Sequence, residues 1–328
     1  MSKKINKSEV KMVESSVLES KIALTFCCHL PGNYRKTKPA ALVENEAGET
    51  VGQLSVTETS ALTIGRKLLE SKELKAITNH KQTLYNTLAS KKTGKAVPSF
   101  IKEGFYFIDA EIVPEIVGIL ESARAEQKDL VEKFLAVYEG QIDEMERKLA
   151  GSRVFKRSDY YSVDAMREKF GIEYNLFRFE VAKNLPPEVL KAEQLKLQKS
   201  FKKSEVLIAQ CLTESFEELL SGIQDKLAPG NDGKAKAFHK TLFDDLAEFM
   251  GNFNSRNLVN DKDLASLVTK ANGILASVRG DKVQDKALVV KSSDELREST
   301  RAQFQAIRAA IEKDIKPKLG RAFNFDLD

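Results

Sequence analysis

Tryptophan is absent from this chain of 328 residues, and glycine (17) and proline (8) are sparse. An all-β sandwich or barrel needs many turn residues, so this composition argues against both and favours helices. Apolar residues make up 42% of the chain, which is enough for a substantial core. The length predicts about two domains.

Cysteine is also scarce, with three residues, and two of them, Cys27 and Cys28, are adjacent. Neighbouring residues of a strand point to opposite faces, so these two thiols cannot bond to each other without strain. The sequence therefore predicts no disulfide framework. Together with an N-terminus that lacks the apolar segment of a secretory signal, this predicts a reduced, cytoplasmic protein.

Long apolar runs are missing as well. The longest, residues 22–30, is far too short to cross a bilayer and is interrupted by Thr25 and His29. We therefore expect no association with a membrane.

Recognised catalytic motifs are absent, including H-E-x-x-H, G-x-S-x-G and G-x-G-x-x-G. The segment "ASKKTGKA" is close to a phosphate-binding loop, but Ala89 stands at its first glycine and Ala96 at its magnesium-binding hydroxyl. A helical pattern also precedes this segment, where the loop requires a strand. These observations predict a protein that is not an enzyme and has no cofactor.

The most unusual short stretch is the Cys27-Cys28-His29 tripeptide within "KIALTFCCHLPGNYRKTK". Its residues alternate with period two, which predicts a half-buried strand. Cys28 then shares a buried face with Phe26 and Leu30, whereas Cys27 and His29 point the other way. We interpret the stretch as a core or interface strand.

Two chemical alternatives for the tripeptide are weaker. A zinc site needs four ligands, usually in spaced pairs, and the remaining candidates His80, His239 and Cys211 are isolated, so no metal site is predicted. A nucleophilic cysteine needs a neighbouring base. His29 would share the face of Cys27, but this pattern is generic.

Charge is unevenly distributed over the chain. Residues 1–104 hold 17 Lys and Arg against 10 Asp and Glu (+7), residues 105–228 carry −5, and residues 229–328 carry +2. The basic first third indicates an anionic partner or contact with another part of the molecule. The candidate phosphate or nucleic-acid contacts are Arg35, Lys36, Lys38, Lys91, Lys92 and Lys95. A solvated surface loop is the preferred interpretation of this group.

The first part of the chain predicts a small antiparallel sheet and two helices. The strand at 22–30 is followed by a hairpin at about 41–56, by helices over 59–70 and 73–91, and by a short strand at 105–108.

Two long helices are the clearest features of the sequence, at about 109–149 and 186–228. Apolar residues recur there by three, four and seven, which is typical of coiled coils. The predicted packing stripe consists of Leu120, Leu130, Phe134, Tyr138, Leu197, Phe201, Ile208 and Leu212. We expect the two helices to form an antiparallel, coiled-coil-like hairpin with a small α/β cap at about 152–185. The alternative is that each stripe faces other helices of a globular bundle.

The predicted fold class is therefore α+β and mainly α. The expected domains are a small basic α/β domain (1–108), the helical hairpin with its cap (109–228) and a C-terminal helical region (229–328).

The order of these features resembles an uncharacterised bacterial and phage family carried on mobile elements. The resemblance rests on the strand "IALTFCCHL", the basic segment "GNYRKTK", the break "GKAVP" and the long helix through "FLAVYEGQI", and it covers the first half of the chain. Genes of that family often lie beside those of a MoxR-type AAA+ ATPase and a von Willebrand A-type protein. The resemblance implies a role as an accessory or adaptor to an ATPase and supplies no catalytic residues.

Together these features predict a non-catalytic adaptor or scaffold that binds partner proteins, with an AAA+ ATPase as a candidate partner and a homo-oligomer left open. Long apolar helices suit this role because they present large faces for contact. The alternative is a nucleic-acid-binding accessory protein that uses the basic first third of the chain.

Overall fold

A computed structural model of the chain describes residues 16–37, 64–69, 71–149, 155–231 and 233–325. Helices dominate this part of the chain, and short strands form small sheets, which confirms the predicted mainly helical α+β class. The α-helices are α1 Lys72–Ala89, α2 Val113–Lys148, α3 Val163–Arg167, α4 Pro187–Leu227, α5 Asp244–Arg256, α6 Lys262–Ser277, α7 Val283–Lys291, α8 Asp294–Ala310 and α9 Lys316–Phe325. A π-helical turn, Ile311–Ile315, joins the last two.

The strands are β1 Ile22–His29, β2 Tyr34–Thr37, β3 Ile64–Lys67, β4 Val97–Pro98, β5 Tyr106–Ile108 and β6 Gly171–Phe177. Four of them form a sheet in the order β4-β5-β1-β6. Strand β5 pairs antiparallel with β1, with Ile22 opposite Ile108, and antiparallel with β4. The predicted strands at 22–30 and 105–108 are thus confirmed, whereas the predicted hairpin at 41–56 lies outside the described residues.

The helix predicted over 59–70 is wrong where it can be compared. Residues Ile64–Lys67 form β3, which pairs antiparallel with β2. A short segment with few apolar positions fits both the 3.6-residue period of a helix and the two-residue period of a strand. The hydrogen bonds to β2 decide in favour of the strand.

The chain divides into two compact units that are both discontinuous in sequence. The first comprises Met1–Thr25, Asn86–Pro114 and Asn175–Asp328, and the second comprises Phe26–Tyr85 and Glu115–Tyr174. These boundaries differ from the expected domains 1–108, 109–228 and 229–328, because the chain passes between the units within β1, α1, α2 and β6.

Helix α2 belongs to the second unit from Glu115 onward. Asp109 caps the 3₁₀ turn that leads into it and accepts a hydrogen bond from the backbone N–H of Glu111. Of the four residues predicted for its stripe, Leu120, Phe134 and Tyr138 are fully buried and Leu130 is half-buried. From Val131 to Ile142, the stripe packs within one hydrophobic cluster of this unit, which also includes Leu68, Leu69, Ile77 and Met166.

Helix α4 belongs to the first unit, where it packs mainly against α8 and also against α5 and α9. Phe201, Ile208 and Leu212 of its predicted stripe are buried, and Leu197 is half-buried against the same cluster. The ring of Phe216 stacks on that of Phe249 in α5, with centroids 5.4 Å apart. The C-terminal helices therefore cover the second half of α4.

The expected hairpin of the two long helices is corrected by this arrangement. Helices α2 and α4 lie in different units, and Val131–Ile142 and Phe201–Leu227 bury their stripes in separate clusters. For α4 this matches the alternative in which the stripe faces other helices, whereas the cluster around α2 also includes Leu68 and Leu69, which lie outside the helices. Heptad spacing shows that a helix has an apolar stripe, but it does not say which neighbour covers that stripe.

Candidate functional site

The front segment of α4, defined as residues 187–200, is the candidate interaction surface. No residue of this segment is buried, although the helix is continuous with the buried stretch that begins at Phe201. Val189 and Leu195 are large apolar side chains that remain 44% and 43% exposed. At 1.5 Å per residue the segment is about 21 Å long, which matches the length of an ordinary binding helix.

The local sequence explains why this segment is helical without a covering layer. Pro187 occupies the first helical turn, where its missing N–H costs no hydrogen bond. Lys196 pairs with Glu193 one turn earlier at 2.6 Å, and the remaining residues are mostly good helix formers. The front segment is continuous with the packed half of α4, so it adds turns to a helix that tertiary packing already stabilises.

The front segment has two apolar faces. Leu190 and Leu197 lie seven residues apart on the side that leads into the core at Phe201. Val189 and Leu195 lie on the other side, together with Ala192. A helix with a second, solvent-facing apolar side has surface that can be covered only by another molecule or segment.

The segment and its immediate continuation are basic. Residues 187–203 carry five lysines and two glutamates, a net charge of +3. The lysines are Lys191, Lys196, Lys199, Lys202 and Lys203. Lysine side chains around a small apolar strip favour an acidic partner surface.

The basic turn predicted at residues 91–95 is a docked structural element. Lys91 is exposed, but the ammonium of Lys92 pairs with Glu218 at 2.6 Å, and that of Lys95 donates to Oδ1 of Asn252 at 3.1 Å. These contacts occupy two of the three predicted phosphate-binding lysines.

Arg256 of α5 holds this turn in place through hydrogen bonds to its backbone. Its side chain is fully buried, and its guanidinium donates to the backbone carbonyls of Lys91 and Lys92. The guanidinium also lies over the ring of Phe249, 5.5 Å from its centroid. Burial lowers the pKa of Arg256 to about 10, which leaves the group charged at neutral pH. The turn is thereby tied to α5 through its main chain.

Sequence reasoning missed Arg256, although a signal was present. Phe249, Phe253 and Arg256 recur at intervals of four and three in the helix, so the arginine stands where the pattern asks for an apolar residue. A charged residue at a core position indicates a specific buried partner.

The other predicted basic contacts lie in a different part of the sequence from this turn. Arg35 and Lys36 lie in β2, which belongs to the other unit, and Lys38 lies outside the described residues. The phosphate or nucleic-acid site of six residues therefore stays a prediction.

The Cys27-Cys28-His29 tripeptide lies at the end of β1 with the predicted alternation. Cys28 is buried, and its sulfur accepts a hydrogen bond from Nε2 of Gln127 at 3.2 Å. Burial raises the pKa of the Cys28 thiol. Cys27 and His29 are exposed on the opposite face, with 3.9 Å between Sγ and Nδ1. In the part of the chain that the structure describes, no group of three or more His, Cys, Asp or Glu side chains has the arrangement of a metal site.

A cleft between α4 and α8 holds a volume of about 270 Å³. Its lining includes Arg301 and Arg308, but also Asp225 and Glu312, so its formal charges balance. Arg308 is directed to Oε1 of Gln224 at 2.8 Å. The cleft therefore has no preference for an anion.

Across the described residues, none of the helices has the length and apolar character needed to cross a membrane. Comparison of the chain with protein-family models, with curated proteins and with solved structures found no match in any of the three.

Proposed function

We propose that the chain is a non-catalytic adaptor or scaffold that binds a partner protein through the front segment of α4. The observation that carries this proposal is the absence of any buried residue across residues 187–200, in a helix whose remaining length is packed into a core. Apolar side chains presented on a helix are a recurring means of protein recognition.

The chemistry of the segment defines the partner surface. Val189 and Leu195 supply the apolar contact, and the lysines around them favour a groove or helix face with acidic residues at its rim. The family resemblance implies an AAA+ ATPase as the partner to be tested first. The cytoplasm, the compartment inferred from cysteine usage, is the expected location of such a complex.

The proposal is tested with a MoxR-type ATPase of the kind whose genes often lie beside those of the family that the chain resembles. We expect the purified ATPase to bind the immobilised chain and the double variant V189E/L195E to bind about tenfold or more weakly, because apolar anchors at the centre of an interface carry most of its energy. Binding is measured by biolayer interferometry at two salt concentrations.

A matched control is available on the C-terminal helices. Leu288 and Leu296 are exposed to 49% and 40%, so L288E/L296E adds the same charges at equally exposed apolar sites. This variant should bind like the unmodified chain. Equal loss in both double variants, or equal binding by both, contradicts the front segment as the docking surface.

Two further measurements separate other functions. Light scattering reports a complex between two copies of this chain, which V189E/L195E would dissociate if the front segment were its interface. Gel shifts with DNA and RNA at low salt report the nucleic-acid alternative. The proposal would be overturned if the chain showed no binding to the ATPase but bound nucleic acid with a steep salt dependence.

A further inference from the structure

The side chains of Cys27, His29 and Glu173 lie next to one another on an exposed face of the second unit. Sγ of Cys27 lies 3.9 Å from Nδ1 of His29, and Nε2 of His29 lies 3.5 Å from Oε2 of Glu173. Cys27 and His29 project from the same face of β1 because alternate residues of a strand share a face. Glu173 comes from β6, which neighbours β1 in the sheet.

The imidazole is used at both nitrogens, and its two partners differ in chemistry. A carboxylate is an acceptor only, so Glu173 favours the tautomer with the proton on Nε2. Nδ1 then presents its lone pair to the thiol of Cys27. A nucleophile, a base and a group that orients the base occur here in the order that general-base activation requires.

The same geometry disfavours a metal bound by these three groups. The two ring nitrogens of His29 point to different partners, and one ion cannot be reached from both sides of the ring. A zinc site would need all its ligands directed to one centre.

The other two cysteines lack this arrangement. Cys28 is buried and accepts a hydrogen bond from Gln127, and burial raises the pKa of its thiol. Cys211 is half-buried, and burial raises the pKa of its thiol as well. A raised pKa reduces the fraction of thiolate, which is the reactive form. Cys27 is thus the accessible thiol with a neighbouring base.

We propose that Cys27, His29 and Glu173 form a modification site at which low-molecular-weight disulfides exchange with the thiol of Cys27. Nδ1 of His29 takes the thiol proton, and the thiolate attacks one sulfur of the small disulfide. The disulfide bond of the reagent breaks as the new sulfur–sulfur bond to Cys27 forms. The leaving thiolate then takes up a proton, so no further oxidant or reductant is consumed.

The setting suits this reaction better than one on a larger substrate. Exchange needs access along the sulfur–sulfur axis and no enclosing pocket. The side chains of His29 and Glu173 are 46% and 76% exposed, so a small reagent can approach Cys27. Reversible modification at this position would alter an exposed strand face without disturbing the buried thiol next to it.

The test uses 4,4′-dithiodipyridine in excess over the folded chain, with release of thiopyridone followed by absorbance. We expect one fast equivalent per chain, assigned to Cys27 by peptide mass. C27S should lose this phase and keep only the slow reaction of Cys28 and Cys211. A fast phase that persists in C27S overturns the proposal.

The base is tested with H29Q, which keeps a polar side chain but cannot accept the proton. We expect its fast phase to slow by about tenfold, less than the ~100-fold of enclosed general bases, because water can also take the proton here. His239 is exposed, and its Nδ1 lies 3.0 Å from Oγ1 of Thr241 with no cysteine beside it in sequence, so H239Q is the matched control and should react at the original rate.

Glu173 acts through His29 as a positioning residue, so its test includes rescue. E173Q should slow the fast phase by a smaller factor than H29Q, and E173D should restore part of the rate, whereas a merely structural effect would not distinguish the two. Circular dichroism confirms that each variant is folded. If H29Q exchanges at the original rate, Cys27 is an exposed thiol without assistance and the site does not exist.

Discussion

The two halves of α4 have the same sequence pattern but different surroundings. From Phe201 to Leu227 the apolar stripe is covered by α5, α8 and α9, whereas the front segment, residues 187–200, has no buried residue. The helix itself does not change at the junction. The difference shows that a continuous stripe specifies a helix and its apolar side, and that the partner for each part of the stripe must come from elsewhere.

The largest effect should come from the covered half. Leu212 is fully buried in the main cluster, so L212A removes packed methyl groups and leaves a cavity. We expect the free energy of unfolding to fall by about 2–5 kcal/mol, measured by urea denaturation. A loss below about 1 kcal/mol would mean that this half is as loosely covered as the front segment.

An intermediate effect is expected at the junction of the two halves. Glu205 accepts hydrogen bonds from the hydroxyl of Ser16 and from the backbone N–H of Val17 at 3.0 Å, and it pairs with Lys202. E205Q should lower the free energy of unfolding by about 1–2 kcal/mol, because the charged acceptor is replaced by an amide.

The matched control for this junction variant is E193Q. Glu193 makes an exposed pair with Lys196, and such pairs contribute little, so the expected change is within about 0.5 kcal/mol. Equal effects of the two substitutions would show that the contacts of Ser16 and Val17 with Glu205 do not anchor α4.

The smallest effect should come from the front segment. V189S/L195S replaces two exposed apolar side chains, and the free energy of unfolding should change by no more than about 0.5 kcal/mol per substitution in the isolated chain. A loss above about 2 kcal/mol for the pair would show that the segment is already covered in the free protein, and the comparison between the halves would fail.

The long helices were predictable because their signals are long and redundant. The predicted spans 109–149 and 186–228 agree closely with Val113–Lys148 and Pro187–Leu227. Many apolar positions, the capping Asp109 and the paired prolines at 186 and 187 all specify the same elements. The elements that bury each stripe were not predictable, since the hydrophobic effect is non-directional and does not specify a partner.

Short segments and single polar contacts were the harder part. Residues 64–67 carry too few apolar positions to distinguish a helix from a strand, and pairing with β2 decides the matter. The alternation of Cys27, Cys28 and His29 was predicted and is confirmed. The neighbour of His29, Glu173, is 144 positions away along the chain, a distance over which spacing carries no information.

The contact between Arg256 and the basic turn is made with main-chain carbonyls. Every residue type offers the same carbonyl oxygen, so the shape of this loop and the charge it displays are independently variable. Substitution at position 91, whose side chain is exposed, can therefore change the charge displayed by the turn while the buried guanidinium keeps its hydrogen bonds to the main chain.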